Sequence, residues 1–516
     1  MKLLPAILAA SLAVTGIASA QDAANSPDLK GFIESSEKSQ KLILQNTREI
    51  LDRVSKIDSA TDTSPTSSPD YTALEARIAA MEKLVSAPSE ATEPAAPPTL
   101  KLDLNVVWIV IAAALVFFMQ AGFCLLELGL TRAKNAINIC MKNFLDFGVG
   151  AITFLFLGFA LMFGAGQAGW IGWGPFWLSD RPGTDAFWAF WLFQAVFAGT
   201  AATIISGAMA ERTKFVGYLI FTVLMTGLIY PIAGHWAWGS FGAGFGYGGD
   251  KGWLEALGYV DFAGSSVVHG IGGAAALAGI LVVGARRGRF RKDGTPNLVS
   301  GHNLPLAALG TFILWFGWYG FNAGSTLVGD ASIGRIAVNT TLAPSAGAIT
   351  AMICVWITQG KPDLSLTLNG ALGGLVGITA NCHIVTPASA VVIGIIAGII
   401  ATLATALLER LRIDDAVGAV PVHLFCGFWG VLAVALFNEN GFSPEKLGIQ
   451  ALGIVSITGF AFVLSFVSFA IINKLVGLRA SDDEQDLGLD FTEHSGAAYP
   501  DFTTSESEFA EIGDRK

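Results

Sequence analysis

The sequence predicts an all-α polytopic membrane protein with eleven transmembrane helices, built as two inverted five-helix repeats plus a final helix. Three observations lead to this fold class. Of 516 residues, 53 % are hydrophobic and only 14 % are charged, whereas soluble domains average roughly 25 % charged. The apolar residues form runs long enough to cross about 30 Å of hydrocarbon. One short motif recurs after an odd number of these runs.

The composition also limits the possible function. The apolar content excludes a disordered chain for most of the length. The formal net charge of −10 disfavours nucleic acid as a partner. The five cysteines all lie in apolar runs and form no CxxC motif, so we expect neither a disulfide framework nor a metal site, and no cofactor.

The first hundred residues predict export. Residues 1–20 have the pattern of a signal peptide: Lys2, then an apolar stretch too short to span, then an A-x-A cleavage site. Residues 21–100 are predicted to be an exported stalk, partly helical, with linkers rich in Ser, Thr and Pro. Two of its segments follow coiled-coil spacing for about two heptads each. Two interpretations stay open: a flexible stalk, or a short helical bundle around an oligomer axis.

Residues 101–477 are predicted to form the membrane domain. Its apolar runs lie at about 103–128, 140–165, 186–209, 215–236, 262–284, 304–326, 338–358, 367–384, 387–408, 420–437 and 449–473. If the N-terminus is exported, alternate loops are cytoplasmic, and these loops carry fourteen Lys and Arg against five on the other side. This bias agrees with the positive-inside rule. We therefore expect a cytoplasmic tail, residues 478–516, which is strongly acidic.

Two nine-residue stretches resemble each other. Residues 261–269 read DFAGSSVVH and residues 415–423 read DAVGAVPVH, so Asp, Gly, Val and His recur at equal offsets. The first opens the fifth run and the second opens the tenth, so five crossings separate them and the two units are inverted. Transporters with inverted repeats bind their substrates near the membrane midplane.

The repeat predicts where its two histidines lie. Eight residues of helix cover about 12 Å, which brings both His269 and His423 close to the middle of the membrane from opposite faces. The alternative is two unrelated histidines that only pack between helices. Ionisable residues at membrane depth usually mark a pathway, and their symmetric spacing favours a shared pore.

Together these motifs make the chain resemble the ammonium transporter family over residues 103–499. The stretches that carry the resemblance are MQAGFCLLELGLTRAKN (119–135), FQAVFAGTAATIISGAMAER (193–212), GHWAWG (234–239), DFAGSSVVH (261–269), GWYGFNAGS (317–325), DDAVGAVPVHLFCG (414–427) and LRASDDEQDLGLDFTEHSGAAY (478–499). The resemblance implies an eleven-helix bundle with inverted halves, assembled as a homotrimer in the lipid bilayer with one pore per subunit.

The resemblance also implies roles for individual residues. Trp238, Phe197 and Ser325 match a recruitment site that holds a cation against aromatic faces and a hydroxyl. Phe197 and Phe321 match a pair of rings that gates the vestibule, and Asp261 matches an acidic residue that supports the site.

The pore itself is implied at three further positions. His269 and His423 match the twin histidines of the family, and Trp318 matches a wall residue of the same tunnel. A recruiting tryptophan is retained at Trp238, which favours the Amt type over the related Rhesus type.

The sequence therefore predicts an ammonium transporter and not an enzyme. It would capture NH4+, deprotonate it and conduct NH3, with or without the proton, across the inner membrane of a bacterial cell. An ammonium sensor with little flux is the alternative. The tail resembles a segment that supports control by PII-type signalling proteins, which makes such a protein a candidate partner. Separately, Lys142 and Asp146 are spaced i,i+4 and predict a structural ion pair.

Overall fold

The computed structural model describes residues 98–179 and 183–500, which form a helical bundle. The helices of its membrane part are α1 (Pro98–Leu130), α2 (Ala133–Phe163), α3 (Asp185–Ala208), α4 (Phe215–Phe245), α5 (Ser265–Val283), α6 (Leu304–Gly324), α7 (Ser332–Gln359), α8 (Leu364–Thr379), α9 (Pro387–Arg410), α10 (Val420–Leu436) and α11 (Pro444–Leu475).

Within the described residues, nine of these helices are long and apolar enough to cross a membrane, and α8 and α10 are shorter apolar helices. The predicted fold class, with eleven membrane helices in inverted halves, is confirmed. The predicted signal peptide, the stalk up to residue 97 and the tail beyond residue 500 lie outside the described residues.

Small elements cover the end of the bundle between α2 and α3. A two-stranded antiparallel sheet pairs β1 (Ala165–Gln167) with β2 (Ile171–Trp173), with Gly166 opposite Gly172. A one-turn helix, Trp253–Ala256, lies between α4 and α5. We call this end of the bundle the Trp238 end, after a tryptophan in the last third of α4.

Glycine brings the helices of the second half close together. A Cβ atom on Gly347 of α7 would lie 2.3 Å from the carbonyl oxygen of Gly370 on α8. A Cβ atom on Gly398 of α9 would lie 2.5 Å from the carbonyl oxygen of Gly347. Because lipid supplies no hydrophobic force between helices, close backbone packing of this kind is what holds membrane helices together.

The tail packs across the opposite end of the bundle, which we call the tail end. Its short helices are α12 (Asp482–Leu487) and α13 (Leu489–His494). The side chain of Lys134 donates to the carbonyl oxygens of Gln485 and Asp486. The backbone N–H of Lys214 donates to the carbonyl oxygen of Leu478 at 2.9 Å. The tail is therefore joined to the starts of both α2 and α4.

A buried ion cluster ties three loops together at the tail end. Arg286 Nε donates to Asp414 Oδ2 at 2.9 Å, and its Nη1 lies 3.3 Å from Glu211 Oε1. Arg212 donates through Nη2 to the carbonyl oxygen of Asp414. Burial alone raises the pKa of the Asp414 carboxyl, but Arg212 and Arg286 outweigh it and hold that pKa well below its usual range. The Asp414 carboxyl therefore stays ionised at physiological pH.

Candidate functional site

Helix α5 begins with a turn that one carboxylate holds. Asp261 accepts hydrogen bonds from four consecutive backbone N–H groups, of residues 264–267, at 2.7–2.9 Å. Gly264 has φ +109°, a conformation open to glycine but costly for other residues. The next six residues, Ser265–Gly270, form a π-helical turn, a feature frequent at functional sites. His269 projects from this turn.

Helix α10 begins in the same way. Asp415 accepts hydrogen bonds from three backbone N–H groups within residues 417–420, at 2.7–3.3 Å. Gly418 has φ +81°, and the π-helical turn Val420–Phe425 follows it. His423 projects from this second turn. Three of the offsets shared by the two stretches thus have a structural reason. The Asp accepts the N–H groups of the turn, the Gly adopts its left-handed conformation, and the His projects from it.

The two imidazoles meet, as the repeat predicted. The Nδ1 atoms of His269 and His423 are 3.1 Å apart, and their rings are inclined by 20° with centroids 5.1 Å apart. Since a neutral imidazole has one donor and one acceptor nitrogen, one Nδ1 donates and the other accepts. Both side chains are buried, and no described residue forms a hydrogen bond with Nε2 of His269.

An aromatic group lies at the Trp238 end of the imidazole pair. The rings of Phe197 and Phe321 stack with centroids 4.1 Å apart, and Trp238 meets Phe197 edge-on at 6.2 Å. Trp238 Nε1 donates to the carbonyl oxygen of Asp261 at 2.7 Å, which fixes the indole to the α5 turn. The Ser325 hydroxyl donates to the carbonyl oxygen of Phe321 at 2.8 Å.

Two contacts join this aromatic group to the histidines. The centroid of the Phe321 ring lies 5.3 Å from that of His269, and Trp318 stacks on His269 at 4.9 Å. Trp318 is oriented by its Nε1, which donates to the hydroxyl of Thr379 at 2.9 Å. The eight residues singled out from the sequence therefore form one connected group, although they come from five helices, the turn before α5 and the residue that follows α6.

A cavity lies on the other side of the imidazoles, toward the tail end. The residues that line it are Phe123, Leu126, Glu127, Ile204, Asn369, Leu372, Val417, Gly418, Ala419, Val422 and His423. Its walls are mostly aliphatic, in contrast to the aromatic Trp238 end. Among the described residues, no group of three or more His, Cys, Asp or Glu could hold a metal ion.

Sequence reasoning missed several residues of the site. Phe241 stacks on Trp238 with centroids 5.9 Å apart, and Phe123 lies 6.1 Å from the ring of His423. Glu127 was the detectable omission, because an acidic residue inside an apolar run is a functional candidate in its own right. The two phenylalanines gave no signal in a sequence with 35 of them.

The predicted ion pair between Lys142 and Asp146 is wrong. Asp146 accepts hydrogen bonds from Gln120, Thr203 and Tyr218 instead, at 2.7–3.2 Å. The Nζ atom of Lys142 is buried and has no hydrogen-bond partner among the described residues. The i,i+4 spacing brought the residues near each other on α2, but neutral donors of α1, α3 and α4 saturate the carboxylate.

Comparison with known proteins identifies this architecture. A helical membrane bundle with inverted halves is common among transport proteins. The model of the Ammonium Transporter Family matches residues 107–499. The chain belongs to the ammonium transporter family, a family of transport proteins rather than enzymes.

Individual relatives agree with this assignment. The chain is 44 % identical to the ammonium transporter Amt2 of Archaeoglobus fulgidus, over 84 % of this chain and 96 % of the relative. It is 38 % identical to ammonium transporter 1 member 1 of Arabidopsis thaliana, over 73 % of this chain and 82 % of the relative.

Solved structures give the same result. A structure named Sensor Amt Protein superposes with a TM-score of 0.74 at 40 % identity, covering 77 % of this chain and all of that chain. Mep2 of Candida albicans superposes with a TM-score of 0.67 at 29 % identity, covering 74 % of this chain and 87 % of that chain.

Proposed function

We propose that the protein captures NH4+ at Trp238, Phe197 and Ser325, and that the ion loses a proton at the gate formed by Phe197 and Phe321. Ammonia then passes His269 and His423, with or without the proton following by a separate route. The observation that carries this proposal is the pair of hydrogen-bonded imidazoles inside a buried, largely aromatic passage.

Capture rests on the aromatic faces. Trp238, Phe197 and Phe241 surround one region with electron-rich rings, and cation–π contacts are worth about 0.5–2 kcal/mol each. Such contacts concentrate NH4+ without removing all of its water. Asp261 supports the region indirectly, because its backbone carbonyl orients the indole and its carboxylate holds the turn beneath it.

Selection rests on the cost of dehydration. An ion without partners loses tens of kcal/mol of hydration energy in an apolar medium by Born estimates, and Phe197 stacked on Phe321 leaves little room for accompanying water. K+ has no means of avoiding this cost. NH4+ avoids it by giving up a proton, so the passage favours a species that is neutral when it crosses.

The imidazoles supply hydrogen bonds to the neutral species. The shared proton between their Nδ1 atoms fixes both rings, and Nε2 of His269 is left without a protein partner among the described residues. Ammonia both donates and accepts, as a neutral imidazole does. Trp318 forms the wall that keeps ammonia in line with His269.

The orientation and assembly belong to the same proposal. The Trp238 end faces outward and the tail end faces the cytoplasm, in agreement with the excess of Lys and Arg in the tail-side loops. The protein then lies in the inner membrane of a bacterial cell, with its N-terminus on the outer side of that membrane. The chain forms a homotrimer with one pore in each subunit.

Purified protein in liposomes tests the histidine role. We expect ammonium, but not K+, to evoke transport by the wild-type protein. His269→Ala and His423→Ala each remove a buried hydrogen bond worth about 1.4 kcal/mol. The ammonium-over-K+ selectivity should therefore fall about tenfold in each variant. Solid-supported-membrane currents, recorded with ammonium and with K+, measure the ammonium transport and its selectivity over K+.

His383→Ala is the matched control. His383 lies in the loop after α8, stacks on Phe262 and does not contact the imidazole pair. It should retain wild-type selectivity. Currents and selectivity that are unchanged in both pore variants would remove the histidines from the mechanism.

A sensor is the second candidate function. What favours it is the similarity to the structure named Sensor Amt Protein. A sensor would bind ammonium at Trp238 and report occupancy through the tail, with little flux. Growth of a transporter-deficient host on limiting ammonium distinguishes the two: a transporter restores growth and a sensor does not.

A PII-type protein is proposed as a partner at the tail end. Pull-down of a PII protein on the full-length transporter, with and without ATP and 2-oxoglutarate, tests this contact. Binding that responds to the nucleotide supports it, and absence of binding in all conditions contradicts it.

A further inference from the structure

The cavity at the tail end contains one titratable side chain besides His423. Glu127 of α1 lines the same cavity, and only 2 % of its surface is exposed. It stands inside a helix that is otherwise apolar through this region. Acidic residues at this depth are costly and usually serve a pathway.

The Glu127 carboxylate is held from one side only. Its Oε2 atom accepts hydrogen bonds from Nδ2 of Asn143 at 2.9 Å and from the hydroxyl of Ser206 at 3.0 Å. No described residue forms a hydrogen bond with Oε1. Two helices therefore anchor one oxygen, and the other oxygen stays free for a ligand within the cavity.

A buried polar network extends behind this carboxylate. Gln120 Nε2 donates both to the carbonyl oxygen of Asn143 and to Oδ1 of Asp146. Lys142 lies in the same layer, buried and without a hydrogen-bond partner among the described residues. Two carboxyl groups and one lysine leave a net negative charge if all are ionised. One added proton makes the layer neutral, which an apolar surrounding favours.

The surroundings of Glu127 contain few other titratable or charged groups. Lys142 and Asp146 face it from α2, His423 from α10, and Tyr218 from α4 through Asp146. Cys124 lies one turn earlier on its own helix. Helices α3 and α8 contribute the neutral Ser206 and Asn369. Glu127 is therefore the first acid that ammonia meets after His423.

We propose that Glu127 is the proton donor that converts ammonia back to ammonium at the tail end, an inference that rests on the proposed function. The lone pair of ammonia takes the proton of the neutral carboxyl group. The O–H bond breaks, an N–H bond forms, and the products are NH4+ and a carboxylate. NH4+ leaves to the tail-side solution. Water from that solution then returns a proton to the carboxylate and is left as hydroxide. The nearby charge of Lys142 stabilises the carboxylate in the interval.

Glu127→Gln tests this role, because glutamine keeps the size and the acceptor for Asn143 and Ser206 but cannot donate that proton. Ammonium flux is measured in oriented liposomes while the pH is varied separately on each side. We expect the flux to fall about a hundredfold, the low end of what a positioned proton donor supplies. The dependence on tail-side pH should disappear, while the dependence on Trp238-side pH stays as in the wild type.

Glu409→Gln is the matched control, since it makes the same change at an acid that pairs with Arg289 and does not line the cavity. It should keep the wild-type flux and both pH profiles. Glu127→Asp retains the acid in a displaced position, so it should transport more slowly yet keep the tail-side pH dependence.

The inference is overturned if Glu127→Gln keeps the wild-type flux and tail-side pH profile, if Glu409→Gln loses them equally, or if Glu127→Asp loses the pH dependence. These outcomes differ from failure of the proposed function. If the proposed function fails, the wild-type protein itself transports no ammonium, or the histidine variants behave as the wild type does.

Discussion

The two ends of the bundle have equivalent backbone turns at the histidines but differ in the side chains around them. Asp261 and Asp415 hold equivalent turns, and the histidines eight residues later leave equivalent π-helical segments. Around these turns, the Trp238 end is aromatic, whereas the cavity at the tail end is mostly aliphatic and is lined by one acid, Glu127. The inverted repeat therefore fixes the geometry of the two histidine turns, while residues outside the repeat give the two ends different side chains.

This difference fits the direction of the proposed transport. The mouth that faces dilute ammonium needs attraction, which electron-rich rings provide without a fixed charge. The mouth that releases ammonium needs a proton, which rings cannot supply. A symmetric scaffold thus supports an asymmetric function through a few side chains from α1, α3, α4 and α6.

The largest expected difference between the two halves concerns their carboxylates. Asp261→Ala leaves four buried backbone N–H groups without an acceptor, and each unsatisfied group costs about 1–3 kcal/mol. We expect a loss of at least about 4 kcal/mol in the free energy of unfolding. Asp415→Ala affects three N–H groups around a half-buried carboxylate, and should cost about 2 kcal/mol, as an ordinary helix cap does.

Thermal unfolding of both variants in detergent measures this comparison. Asp261→Ala should lower the unfolding temperature clearly more than Asp415→Ala does. Equal shifts would mean that the two carboxylates contribute equally to the free energy of unfolding. The two halves would then differ less than their hydrogen bonds indicate.

The glycines of the two turns provide a smaller contrast. Gly264→Ala and Gly418→Ala both force a left-handed conformation on alanine, which costs about 1–2 kcal/mol. The new Cβ at position 264 would lie 2.7 Å from Val268 and 3.1 Å from Trp238, whereas that at 418 meets the movable amide of Asn369.

Concentration dependence of ammonium flux distinguishes the two glycine variants. Gly264→Ala should raise the half-saturating ammonium concentration several-fold, because it displaces the Trp238 indole, the proposed capture group. Gly418→Ala should leave that concentration unchanged and reduce only the maximal rate. A raised half-saturating concentration in Gly418→Ala alone would contradict the division of roles between the two ends.

The smallest effect is a pH dependence of tail docking. Burial lowers the pKa of His494, and Asn138 Nδ2 donates to its Nε2 at 3.1 Å, which requires the neutral ring. A lowered pKa of a base means that docking weakens as the pH falls through the ordinary histidine range near about 6.5. Burial raises the pKa of Asp490, which favours docking at low pH and partly offsets this.

Limited proteolysis of the tail between pH 7.5 and 5.5 measures docking. We expect wild-type cleavage to increase toward acid pH. In His494→Gln, where only the aspartate contribution remains, cleavage should stay constant or decrease. If the wild type and this variant respond to pH identically, His494 does not control docking.

Much of the fold could be predicted because bilayer physics leaves a strong trace in composition. Each predicted run corresponds to one helix, with boundaries within about a turn or two for most of them; α2 begins at Ala133 and α4 ends at Phe245. At α2, the polar residues Lys134, Asn135 and Asn138 continue the helix where hydropathy alone ends it. At α4, the extension is a 3-10 helical segment, Gly239–Phe245.

Side-chain partners were predicted less well. Spacing on a single helix suggested that Lys142 pairs with Asp146, but three neighbouring helices compete for that carboxylate. Glu127 was overlooked because its partners, Asn143 and Ser206, come from α2 and α3. Contacts between helices depend on rotation about each axis, which a single sequence leaves open.

By itself the sequence determined the number of helices, the inversion of the two halves and the meeting of His269 with His423. Helix length, the repeat offset and the rise per residue fix all three through simple geometry. Only the tertiary structure decided which oxygen of Glu127 is free, that Phe241 and Phe123 join the site, and where the tail docks. Those features arise from packing between distant segments, whose energies are set by the complete set of neighbours.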